Sequence, residues 1–186
     1  DHYAILSCNN AVNFSVLMNH IFYSSVIKYR MVQFHSSLVR WQHKGIMFLG
    51  PSGIGKTTQA ELWEKYQNAD IINGDLVFVQ EIDNDFIGWG TPWHGSSSYC
   101  LNENVNISAI VILKQEKENH LRRLFGLEMV TEVAKNLFYP NWVENGMELA
   151  LEVLNHLLTF VPVYELSNRA DEESVEILRQ TLLKRQ

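Results

Sequence analysis

The stretch FHSSLVRWQHKGIMFLGPSGIGKTT, residues 34–58, decides how this chain is read. Its second half, from Gly50 to Thr57, fits the pattern G-x-x-x-x-G-K-[ST] in full. Glycines let successive backbone N–H groups turn inward onto phosphate oxygens, and a helix N-terminus behind them adds favourable partial charge. The four apolar residues 46–49 read as a short strand buried on both faces, and residues 56–66 read as the helix that follows. The expected phosphate contacts are Gly50, Pro51, Ser52, Gly53, Ile54, Gly55, Lys56, Thr57 and Thr58. Lys56 would reach the β- and γ-phosphates of a triphosphate, and the Thr57 hydroxyl would ligate Mg²⁺.

Upstream of the loop, residues 31–41 are rich in β-branched and aromatic side chains and read as a strand. The segment QHKG, 42–45, reads as a tight turn, with Gly45 available for positive φ. Two centres for this turn stay open. Centring on Lys44-Gly45 sets His35 opposite Ile54, and centring on His43-Lys44 sets it opposite Ser52. Either register folds His35 onto the phosphate loop, where an imidazole can donate to phosphate or add positive charge. A histidine that merely supports the strand is the competing reading.

Outward from there, the pattern is α/β with more hairpins than a doubly wound sheet. Residues 12–29 read as a moderately amphipathic helix, and DIING and LVFVQEI, 70–74 and 76–82, as strands. A turn at DND, 83–85, returns the chain through FIGWG, and 91–99 is a loop. ISAIVIL, 107–113, is a buried strand, and VPVYEL, 161–166, another. Helices are expected at about 118–137, 142–160 and 172–184, the last capped by Asp171. With 186 residues and 46% hydrophobic composition, the expectation is a single domain spanning 1–186. The chain has no initiating Met, so the reading allows for residues upstream of Asp1.

Charge and composition narrow the partners. The net charge is −6 and there is no basic stripe, so nucleic acid is not an expected partner. No apolar run is long enough to cross a bilayer, so no membrane is expected either. Cys8 and Cys100 make no metal or redox pattern, and a reduced cytoplasmic protein is the simpler reading.

The chain lacks the usual partners of a phosphate loop. The strand AIVILKQ ends in Lys114 and Gln115 where a motor or transporter ATPase would carry a metal-binding Asp. No N-K-x-D run is present to select guanine. Asp75, ending IINGD, is the best candidate acid, as metal ligand with Thr57, as base, or as both; a turn aspartate competes with these readings. His94, in PWHGSSS beside Ser96, Ser97, Ser98 and Trp93, is a second candidate against the reading of a flexible polar loop. Arg122 and Arg123 are candidate phosphate contacts against a solvated helix face. His20, His43, His120 and His156 form no ligand constellation.

Together, a histidine, a short hairpin, GxSGxGK[ST] and an acid ending a nearby strand resemble the HPr kinase family. Its nucleotide-binding core is like that of phosphoenolpyruvate carboxykinase. The motif resemblance covers about residues 31–80 and the rest more loosely. FLGPSGIGKTTQAELW, IINGD, PVYELSNRADEE and GTPWHGSS look like the short stand-alone members, some of which phosphorylate a serine on a precursor peptide. The resemblance implies an ATP- and Mg²⁺-dependent kinase with a hydroxyl acceptor, a serine of a peptide or protein. Lys56, Asp75 and His35 would act on the transferring group, Arg123 would match the active-site arginine, and the adenine would lie near SNRADEE. Two departures matter. Paired aspartates of the bifunctional members are Gly74-Asp75 here, and the later signature tied to phosphorolysis has no counterpart. A small-metabolite kinase and a nucleotide-binding regulator without turnover stay open as alternatives, as does assembly into a homo-oligomer.

Overall fold

A computed structural model describes residues 11–184, apart from the side chains of 11–13. In chain order the elements are α1 (Ala11–Val26), β1 (Met31–Trp41), β2 (Lys44–Leu49), α2 (Lys56–Gln67), β3 (Asp70–Asn73), β4 (Leu76–Ile82) and β5 (Asp85–Trp89). Then come β6 (Asn104–Gln115), β7 (His120–Arg123), α3 (Gly126–Ala134), β8 (Leu137–Phe138), α4 (Gly146–Phe160), β9 (Val163–Asn168) and α5 (Glu172–Leu183). The nine strands form one mixed sheet flanked by the five helices.

Two long strands organise the sheet because each changes partners midway. In β1, residues 31–35 pair with β4 and residues 36–41 pair with β2. In β6, residues 104–106 pair with β5, and later residues run parallel to both β2 and β9. The wholly apolar run at 46–49 is explained by this position. Ile46 and Phe48 face a core with Trp63, Val111, Val175 and Leu178; Met47 and Leu49 face the other core with Ile110, Val153 and Leu157. A strand buried on both faces cannot show polar alternation. The glycine loop leaves the C-terminal end of β2, on the side of the sheet where its parallel neighbour β6 also ends. That is where ligands sit in parallel α/β sheets.

Two expectations need correction. The hairpin pairs Trp41 with Lys44, so its two turn residues are Gln42 and His43, earlier than either expected centre. Gln42 takes the positive φ, at 57°, and Gly45 sits inside β2. Gly45 is needed there for close approach: a Cβ on it would lie 2.7 Å from the Asn106 carbonyl oxygen of β6. The hairpin's last pair is Ser36 with Leu49, which brings His35 level with Gly50, not with Ile54 or Ser52. Second, the expected helix over 118–137 is split. Residues 120–123 are the edge strand β7, antiparallel to β9, and only Gly126–Ala134 is helical. Local helix propensity in ENHLRRL loses to the open edge of β9, a partner more than forty residues away that a local reading cannot weigh.

Asp171 caps α5 as expected, its side chain accepting from the Ser174 N–H. No helix among the described residues is long and apolar enough to cross a membrane. Cys8 lies outside the described residues.

Candidate phosphate-loop site

The loop conformation follows from its glycines. Gly50, Gly53 and Gly55 take φ of 146°, 79° and 106°, values that side-chain-bearing residues seldom adopt. A Cβ on Gly53 or Gly55 would meet nothing within 4 Å, so these glycines are required by the backbone turn and the space beside them is open. Helix α2 starts directly after Gly55 and no side chain caps it. Its first-turn amides therefore remain donors for an anion. Lys56 lies folded back on the loop, its Nζ donating to the carbonyls of Gly50 at 3.1 Å and Pro51 at 3.4 Å. Burial pushes the Lys56 ammonium below the usual lysine range, and the charge of Asp75 opposes that shift.

Asp75 stands beside this lysine because the segment Asn73-Gly74-Asp75 is tightly wound. The buried Asn73 accepts through Oδ1 from the N–H groups of Asp75 and Leu76, an Asx turn. Its Nδ2 donates to the carbonyls of Thr91 and Trp93, tying the 91–99 loop to the same turn. Thr57 Oγ1 donates to the Gly74 carbonyl at 3.3 Å, which links the start of α2 to the acid.

The Asp75 carboxylate meets His35 at 3.0 Å, Oδ1 to Nε2. This hydrogen bond is the main reason its carboxyl lies below the usual range; burial pushes the other way, and the charges of His35, Lys56 and His94 add to the lowering. An ionised carboxylate only accepts, so Nε2 of His35 carries the donated proton. The other carboxylate oxygen faces the 91–99 loop: a Cβ on Gly95 would lie 2.2 Å from Asp75 Oδ2. That loop is not slack. His94 Nδ1 donates to the Ser97 carbonyl, and the Ser97 N–H donates back to the His94 carbonyl at 3.1 Å.

Thus His35, Lys56, Thr57 and Asp75 come together, with His94 close enough to act on the Asp75 charge. Arg123 does not join them in its described contacts. It stands on the edge strand β7, its guanidinium carbon 4.9 Å from the Phe125 ring centroid, while Arg122 is taken up by Glu165 and Glu128. Thr58 is exposed on the flank of the loop. There, Gly53, Ile54, Gly55 and Thr58 line a cavity of about 530 Å³ with Gln115, Glu116 and three residues of SNRADEE, Asn168, Arg169 and Ala170.

Sequence reasoning missed two asparagines. Asn136 accepts through Oδ1 from the Gly50 N–H at 3.0 Å, and its carbonyl accepts from the His35 N–H at 2.8 Å. It pins loop and histidine together, yet it lies 86 residues from Gly50 and carries no local signal. Asn73 could have been found, since Asn-Gly-Asp at a strand end is an Asx-turn signature.

The chain matches no protein-family model and no curated protein. Among solved structures, one it resembles is the HPr(Ser) kinase/phosphatase from Coxiella burnetii, at 10% identity and a TM-score of 0.45, over 82% of this chain and 94% of that one. A superposition this loose carries no weight by itself; the residues of the site must carry any functional reading.

Proposed function

We propose that the chain is an ATP- and Mg²⁺-dependent phosphotransferase of the HPr kinase-like type, moving the γ-phosphoryl group to a hydroxyl, that of a serine in a peptide or protein. One observation carries this reading: a carboxylate held ionised by His35 adjoins Lys56 at the mouth of an open glycine loop with an uncapped helix behind it. The Thr57 hydroxyl and the Asp75 carboxylate fit Mg²⁺, a hard cation that takes few protein oxygens and completes its shell with phosphate and water. Bound there, the ion would spread the charge of the β- and γ-phosphate oxygens.

The chain's own groups do the rest. Loop amides and Lys56 hold the phosphates, and the flanking cavity with Asn168 suits the nucleoside. The bond from the γ-phosphorus to the bridging oxygen breaks as one to the acceptor oxygen forms. The hydroxyl proton passes to Asp75, and ADP leaves with the electron pair of the broken bond. A positioned base is worth roughly 10²-fold or more. His35 keeps Asp75 oriented and ionised.

Gly74 favours a second reading, a nucleotide-binding regulator without turnover, because it supplies no second acid. The geometry gives a steric reason for this glycine: a Cβ on it would lie 1.9 Å from Ser97 Oγ. Turnover assays with serine peptides decide between the two. Phosphoserine should form with the native chain and fall at least ~100-fold in Asp75→Asn. Stoichiometric nucleotide binding with no transfer to any acceptor would favour the regulator.

A further inference from the structure

A second cavity, of about 620 Å³, is lined by residues of α1, by Gln33 of β1, by the 92–95 segment and by the residues around β8. Its walls include Trp93, Phe138 and Trp142, and it reaches Leu76 and Gly95, the two residues that flank Asp75 in sequence and in space. Its ionisable groups are the imidazoles of His20 and His94 and the Tyr139 phenol, with no lysine, arginine or carboxylate. Two side-chain amides on its wall are buried without a partner among the described residues, Gln33 Nε2 and Asn19 Nδ2. Gln33 is only 3% exposed. Buried amide donors are normally satisfied, and exceptions call for an explanation.

We infer that this cavity receives the acceptor, and that the acceptor is a peptide segment in which the serine adjoins an aromatic or large aliphatic residue. The inference rests on the phosphotransferase reading and specifies its substrate. Aromatic walls take an apolar side chain. Two unpaired N–H donors ask for carbonyl oxygens, and peptide groups supply these at every residue. The volume far exceeds a serine side chain, so the neighbouring residue fills most of it. Occupied this way, the serine hydroxyl lies past Gly95, toward Asp75 Oδ2.

The test is ¹⁹F NMR on protein carrying 5-fluorotryptophan, with the Trp93 and Trp142 resonances assigned by Trp93→Phe and Trp142→Phe. The probes are N-acetyl-Phe-Ser-N-methylamide, its Gly-Ser and Asp-Ser counterparts, and 2-phenylethanol. The Phe-Ser peptide should shift both resonances and leave Trp41 and Trp63 unmoved, with at least ~5-fold tighter binding than the Gly or Asp peptides, from partial burial of the phenyl ring. Gln33→Leu should remove most of that binding, and Asn19→Leu, on the more exposed helix, should weaken it. No preference for Phe-Ser, or equal binding of 2-phenylethanol, would overturn the inference. Calorimetry with Mg·ATP on the same protein separates the two claims. Nucleotide binding and turnover without peptide preference sink only the cavity assignment. Peptide preference without nucleotide binding sinks the phosphotransferase reading and, with it, the acceptor role.

Discussion

At the scale of single residues, the account turns on one carboxylate and the imidazole bonded to it. Because Asp75's carboxyl lies below its unfolded value, its contribution to stability is present above that unfolded value and lost as pH falls through the depressed folded one. His35→Ala removes the largest cause of the lowering. The Asp75 carboxyl should then titrate upward, toward the ordinary ~4, in a ¹³C NMR titration. The difference in urea midpoint between the variant and the native chain should be largest near neutral pH and narrow in acid. An Asp75 titration unmoved by the substitution would mean that the imidazole does not set its ionisation. The candidates Asp75, His35 and Lys56 were legible because each sits in or beside a motif with a mechanism. Asn136 was not, since its role exists only once β8 has been delivered beside β1.

At the scale of elements, what was local could be read and what was non-local could not. The bounds of β1 follow from its β-branched and aromatic run, and Asp171 was identifiable as a cap from its place before the last helix. Asp171→Ala should cost about 1 kcal/mol in denaturant unfolding, the usual worth of such a cap. A change near zero would mean that the bond from the Ser174 amide adds nothing net to the stability of α5. The hairpin turn falls earlier than the glycine in QHKG suggests. Gly45 answers instead to a neighbouring strand that joins the chain sixty residues later. Residues 120–123 depart from the expected helix for the same reason. Their helical neighbours in sequence are visible locally, but the free edge of β9 is not.

At the scale of the whole molecule, the sheet separates two cores, and the glycine loop emerges between them at the end of β2. The rigidity of that platform depends on α2, whose Trp63 is fully buried against Trp41 and Phe48. Trp63→Ala should destabilise the chain by roughly 3–5 kcal/mol in urea unfolding. It should also loosen the helix that presents Lys56 and Thr57. A loss below ~1 kcal/mol would mean that α2 is not anchored through this core. The loop 91–99 closes the other side, held by Asn73 and by the space that Gly74 and Gly95 leave empty. One carboxylate, one imidazole and one lysine therefore share a cleft with a nucleoside-sized cavity on one flank and an aromatic one on the other.

If residues 50–58 hold the phosphates of a nucleoside triphosphate, calorimetric titration with a non-hydrolysable ATP analogue in Mg²⁺ should give one site per chain. Lys56→Ala should weaken it at least ~10-fold through loss of a charge-assisted contact. Absence of binding to the native chain, or undiminished affinity in the variant, would rule out this role for the loop.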